Sequence, residues 1–207
     1  NGWPEERTHF VPNFVDATVA PPVGRSKLNT PTDAAVMLAL GRLHHNKAFD
    51  VVIRALVDLP DAVLWIAGKG PERNALRMLA DQLGVAKRIR WLGWRNDVAA
   101  LFAAADMLVC PSRIEPLGNV IIEAWAHGCP VVATSSTGPT WLIENEISGL
   151  LTALEDAKAL AAAIGRVLGE VGLASQLAEA GHAAYQARFS EPAVVGQYIE
   201  LFNTVVR

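Results

Sequence analysis

From residue 33 onward, short runs of β-favouring apolar residues alternate with stretches in which apolar positions return every three or four residues. The runs at 35–40, 62–67, 88–92, 106–110 and 131–134, with a short one at 149–151, predict strands, since continuous apolar character suits a strand covered on both faces. The intervals at 49–58, 72–83, 98–105, 119–127 and 140–144 predict helices; Leu76, Leu79, Ala80 and Leu83, for example, share one helical face. This alternation is the rhythm of a parallel sheet wrapped by crossover helices, so the predicted fold is a doubly wound, Rossmann-like α/β core over residues 32–151. Beyond it the pattern is helical, at 156–171, 173–187 and 191–205, with Ser190 as a cap and Pro192 in the first turn of the last helix. Residues 1–31 hold five prolines and no sustained period. They predict a strand leading into the domain and then a connecting loop through Pro21, Pro22, Gly24, Ser26 and Asn29.

Composition narrows the class. With 207 residues, 51% of them apolar, the chain builds one substantial core. Its 18 basic and 21 acidic side chains leave a net charge of -3 without a block of one sign, which argues against nucleic acid as a partner. No apolar run approaches the roughly 20 residues that cross a bilayer, and residues 1–9 lack the features of a signal peptide. Cys110 and Cys129 sit in apolar strand contexts and are expected to be reduced core residues, which suits a cytoplasmic location.

Candidate chemistry gathers at two predicted strand ends. The stretch DMLVCPSRIEPLGNVIIEAWAHGCPVVAT, residues 106–134, reads strand, loop, helix, strand, and ligands of doubly wound sheets bind where strands end. Gly118 allows close backbone approach, and the amides of Gly118, Asn119 and Val120 open the helix as a phosphate-favouring cluster. Glu115 in the loop and Glu123 in the helix are separated by seven residues; the expectation is a carboxylate at the mouth and another behind it, each accepting hydrogen bonds from a polyol. Read singly, each is equally a solvated acid, Glu123 favouring the helix dipole. In LALGRLHHNKAFD, residues 38–50, Gly41 frees the backbone while Arg42 and Lys47 supply a planar and a point-like cation able to neutralise a diphosphate. Taken alone, both cations also fit an ordinary surface. Together the loops suit a ligand with a central diphosphate and hydroxyl-bearing ends, such as a nucleotide sugar.

These residues resemble the retaining glycosyltransferases of group 1, or family 4, which have the two-domain GT-B architecture. Glu115 and Glu123 match that family's spaced glutamates, and Arg42 with Lys47 its phosphate-binding pair. The likeness continues through VPNFVD at 11–16, IAGKGPE at 66–72, WLGW at 91–94, HGCPVVAT at 127–134 and STGPTWLIENEISGLL at 136–151. It implies that Glu115 contacts the donor sugar and Glu123 the ribose. Arg42, Lys47 and the amides of Leu117, Gly118 and Asn119 would hold the diphosphate, and Gly93, Trp94 and Arg95 would lie near the base. It implies no metal and no cofactor, a nucleoside diphosphate sugar as donor with UDP the commonest base, and catalysis through Arg42, Lys47 and Glu115. Three departures stand out: Ala48, Leu117 and Phe14 replace a common glycine, phenylalanine and glycine.

VPNFVD follows the interdomain linker in the family, so the chain reads as a C-terminal donor-binding domain whose N-terminal acceptor domain is absent. Any peripheral membrane contact would run through that absent domain. The isolated chain is expected to bind donor without transferring sugar. The competing readings are a nucleotide-sugar epimerase or phosphorylase, and a binding module without chemistry. His44 and His45 lack a third metal ligand, Gly68 to Pro71 reads as a tight turn, and Trp125 as a core anchor.

Overall fold

The computed structural model describes residues 8–205. Six strands, β1 (Ala35–Leu40), β2 (Ala62–Ala67), β3 (Ile89–Gly93), β4 (Met107–Cys110), β5 (Val131–Thr134) and β6 (Leu150–Thr152), form one parallel sheet in the order β3-β2-β1-β4-β5-β6. Five helices alternate with them: α1 (Phe49–Ala55), α2 (Arg73–Gln82), α3 (Val98–Phe102), α4 (Asn119–Ala126) and α5 (Thr137–Leu142). Three more follow, α6 (Ala157–Gly169), α7 (Leu173–Arg188) and α8 (Glu191–Val205). This is the Rossmann-like, doubly wound α/β fold that the sequence predicts.

Strand side chains alternate between the two faces, and so divide the core in two. Met37, Ala39, Leu64, Ile66 and Val109 meet α1, α2 and α6 on one side. Val36, Leu38, Trp65, Leu108 and Val131 meet α3, α4 and α5 on the other. Helix α7 serves both layers, with Leu177 in the first and Tyr185 in the second. Buried indoles need an acceptor for their one polar atom. Trp65 Nε1 donates to Thr30 Oγ1 at 2.9 Å, and Trp125 Nε1 donates to the Ser148 carbonyl at 3.0 Å. Trp125 is the core anchor expected of it, and both cysteines are free and buried. Burial raises the Cys129 thiol to about 12 and raises Cys110 as well, which keeps both protonated.

One expectation fails. No strand forms within residues 8–31. Val15, Ala17 and Val23 pack on the face of the sheet that carries α3 and α4, where helices present side chains rather than a free backbone edge. The Val23 amide donates to the Ala100 carbonyl of α3, and the prolines at 12, 21 and 22 have no amide to offer. Residues 1–7, also part of that predicted segment, lie outside the described residues. Among the described residues no helix is long and apolar enough to cross a membrane.

Candidate functional site

The sheet winds outward from β1 through β2 to β3, then returns to place β4 on the other side of β1. Loops leaving the carboxyl ends of β1 and β4 therefore diverge to opposite faces and open a crevice between them. Residues 41–48 and 111–118, the two stretches singled out in the sequence, flank this crevice.

After β1, the chain passes Gly41 and Arg42 and tucks in Leu43, which is buried. A 3-10 turn, His45–Lys47, follows; His44 Nδ1 accepts from the Asn46 amide at 3.3 Å, so that histidine caps a turn. Ala48 takes a left-handed conformation (φ 49°), the physical reason a glycine would suit that position. The turn aims Lys47 across the crevice, where its Nζ donates to Glu115 Oε2. Ser112 Oγ donates to the same oxygen at 3.2 Å, and the Glu115 carbonyl accepts from the Gly138 amide at 2.7 Å. Arg42 is exposed and has no hydrogen bond or ion pair among the described residues.

The expected order of the two acids is reversed. Glu115 is only 8% exposed, drawn inward by Lys47, while Glu123 stands on the cleft-facing side of α4. Burial raises the Glu123 carboxyl above its ordinary value, since a half-buried carboxylate is poorly solvated and meets no compensating donor among the described residues. Helix α4 starts at Gly118 (φ 84°); a Cβ there would come within 2.8 Å of Leu142 Cδ1. The first amides beyond it have no intrahelical acceptor.

A cleft of ≈ 290 Å³ brings together Gly41, Arg42, Lys47, Trp94, Arg95, Val120 and Glu123. Trp94 is 70% exposed, its Nε1 donating to Asn96 Oδ1 at 2.9 Å, and Arg95 makes a two-point ion pair with Asp97. The other predicted residues lie off the wall: Gly93 closes β3 and accepts from the Gly68 amide at 2.7 Å, Glu115 is behind Lys47, and Leu117, Gly118 and Asn119 form the turn into α4. Leu40, Ala67 and Val98, which carry no candidate chemistry in the sequence, also form the wall, as does Gly68 of the tight turn expected at 68–71. Gly68 had a signal, the glycine ending the IAG strand. Its φ of 152° and its closeness to the first loop both exclude a side chain, because a Cβ would sit 1.8 Å from the Gly41 carbonyl oxygen.

Comparison with known proteins gives the arrangement its context. The chain is 40% identical over 200 residues to the lipopolysaccharide core biosynthesis glycosyltransferase LpsE of Rhizobium meliloti (strain 1021), covering 97% of this chain and 58% of that protein. It is 38% identical to LpsD of the same organism over 202 residues, covering 98% of this chain and 59% of the relative. Among solved structures, Alr3699/HepE of Anabaena in complex with UDP and glucose superposes with a TM-score of 0.89 at 26% identity, over 98% of this chain and 58% of that one. The chain thus spans less than two thirds of the length of each. Residues 34–170, which hold all six strands and run through α6, match the family model described as glycosyl transferases group 1, and the chain belongs to that family.

Proposed function

We propose that this chain is the C-terminal, donor-binding unit of a retaining glycosyltransferase, and that the cleft takes a nucleoside diphosphate sugar, a UDP-sugar foremost. The observation that carries this is the convergence of Arg42, Lys47 and Glu123 on one crevice at the switch point of the sheet. Arg42 and Lys47 face the diphosphate, with the opening amides of α4 completing the cradle. Glu123 accepts from the ribose hydroxyls, Glu115 from the donor sugar, and the Gly93 to Arg95 loop borders the base. When the bond from the anomeric carbon to the diphosphate breaks, negative charge grows on the leaving oxygen. Two cations already in place stabilise that charge without reorganising.

The acceptor-binding part lies in the remaining length that the relatives have. The likeness to LpsE and LpsD supports a glycan acceptor of the lipopolysaccharide core kind, and the HepE complex supports UDP as the base-bearing half. Calorimetry of the 207-residue chain against UDP-, GDP- and ADP-sugars tests the reading. Binding in the micromolar to millimolar range, about 4 to 8 kcal/mol, is expected for one of them, with no transfer to any acceptor by this chain alone. Indifference to all three, or turnover by the chain alone, would overturn it.

A further inference from the structure

Two residues before Glu115, Arg113 spreads its guanidinium over the His45 turn, the first turn of α1 and the segment that precedes α6. Nη1 donates to the His45 carbonyl at 2.9 Å and to Asp50 Oδ1 at 2.8 Å. Nη2 donates to Asp50 Oδ2 at 2.7 Å and to Glu155 Oε2 at 2.9 Å, while Nε donates to Glu155 Oε1. His45 and Asp50 bracket Lys47 in the chain; Glu155 stands between β6 and α6. Beside this fork the Ile114 amide donates to the Asn46 carbonyl at 3.1 Å. The Arg113 side chain is 15% exposed, so its charge is largely shielded from water and depends on these partners. Burial pushes the Asp50 carboxyl up, but hydrogen bonds and charge from Arg113 outweigh it and hold it below the usual range.

The elements joined by this fork carry the two members of the Lys47–Glu115 pair. A lysine ammonium rides on a flexible stem, so where it settles depends on the backbone beneath it. That backbone is a three-residue turn with little rigidity of its own. A planar guanidinium with several fixed donors sets both distance and angle between the turn and the Glu115 loop; the single Ile114–Asn46 bond leaves the turn free to rock.

We propose that Arg113 is a positioning residue for phosphate recognition: it locks the Lys47 turn to the Glu115 loop, holding the ammonium where a bound diphosphate shares it. This rests on the nucleoside diphosphate reading of the cleft. Arg113 touches no ligand itself, so its loss is felt by phosphate and not by nucleoside.

The experiment compares UDP with uridine on the wild-type 207-residue chain and on Arg113→Ala, Arg113→Lys and Asp50→Asn, by calorimetry with melting curves alongside. UDP affinity should fall about tenfold in each variant, the size of one weakened charge-assisted contact, while uridine affinity stays level. Arg113→Lys should keep the deficit, because an ammonium does not span Asp50, the His45 carbonyl and Glu155 together. If Arg113→Ala does not fold, Asp50→Asn carries the same comparison. Equal losses for UDP and uridine, unchanged UDP affinity in a folded variant, or full recovery in Arg113→Lys overturns the positioning role. A wild type that does not prefer UDP to uridine brings down the reading of the cleft itself, and this proposal with it; wild-type preference retained by the variants brings down the positioning role alone.

Discussion

Glu115 and Glu123 flank the same helix start, yet their surroundings are opposite. At the Glu115 end, charge is settled in advance: Lys47 and Ser112 both bond to the carboxylate, and the loop is pinned to α5 through the Gly138 amide. At the Glu123 end the acid is half-buried with its pKa raised, and the nearby Arg42 is exposed and unpaired among the described residues. One region is stable because its polar groups satisfy one another. The other holds polar groups in a less favourable state, which the hydroxyls and phosphates of the proposed donor would relieve. A site assembled from both has a rigid floor and a receptive wall.

The comparison breaks most directly at Lys47. Lys47→Ala strands the buried Glu115 carboxylate without its cation, and should cost about 3 kcal/mol of folding stability, read as a lowered denaturation midpoint. A neutral outcome would mean that the pair is not settled in advance. Glu115→Gln is gentler, since the amide keeps the shape and can still accept from Lys47 or Ser112; a loss of about 1 to 2 kcal/mol is expected in the same titration. Arg42→Ala works in the other direction. Its stability should stay within about 0.5 kcal/mol of wild type, while affinity for UDP falls by about 1.5 to 3 kcal/mol and affinity for uridine does not. An Arg42→Ala chain that unfolds more easily would move Arg42 into the settled region.

Glu123 gives the smallest effect and the sharpest sign. A carboxyl whose folded-state pKa is raised contributes stability that is full below its unfolded pKa and is lost as pH rises through the folded value. At neutral pH it is therefore a liability, and Glu123→Gln should stabilise the ligand-free chain by about 0.5 kcal/mol. That gain should vanish on acidification below the ordinary carboxylate range. Asp50, whose pKa is lowered, has the opposite profile: its contribution is present above the ordinary range and is lost as pH falls through the depressed value. Paired melting curves of Glu123→Gln and Asp50→Asn across acidic and neutral pH test both signs at once.

Most of the fold was legible because central strands buried on both faces leave a continuous apolar trace. Strands β1, β2 and β5 coincide with their predicted bounds residue for residue. Helix α5 starts three residues before its predicted start at 140, with Gly138 and Pro139 in a first turn that tolerates them. The lead-in segment misled because Val15 and Ala17 pack inward like strand residues while their backbone joins no strand among the described residues. For the site, the rule that ligands gather at strand ends located both loops. Depth within a loop is a tertiary matter, so it did not reveal that Glu115 is buried while Glu123 lines the cleft. Arg113 gave no signal at all, because its carboxylate partners stand 63 and 42 residues away.

The contact between Gly68 and the Gly41 carbonyl carries a consequence for how such sequences drift. Positions 41 and 68 belong to different strand ends, but they occupy one shared allowance of space. A methyl group at 68 fits only if residue 41 retreats, and residue 41 carries Arg42 with it. The reach of that cation thus depends on a neighbour far along the chain, and any side chain at 68 would have to displace the backbone that carries it.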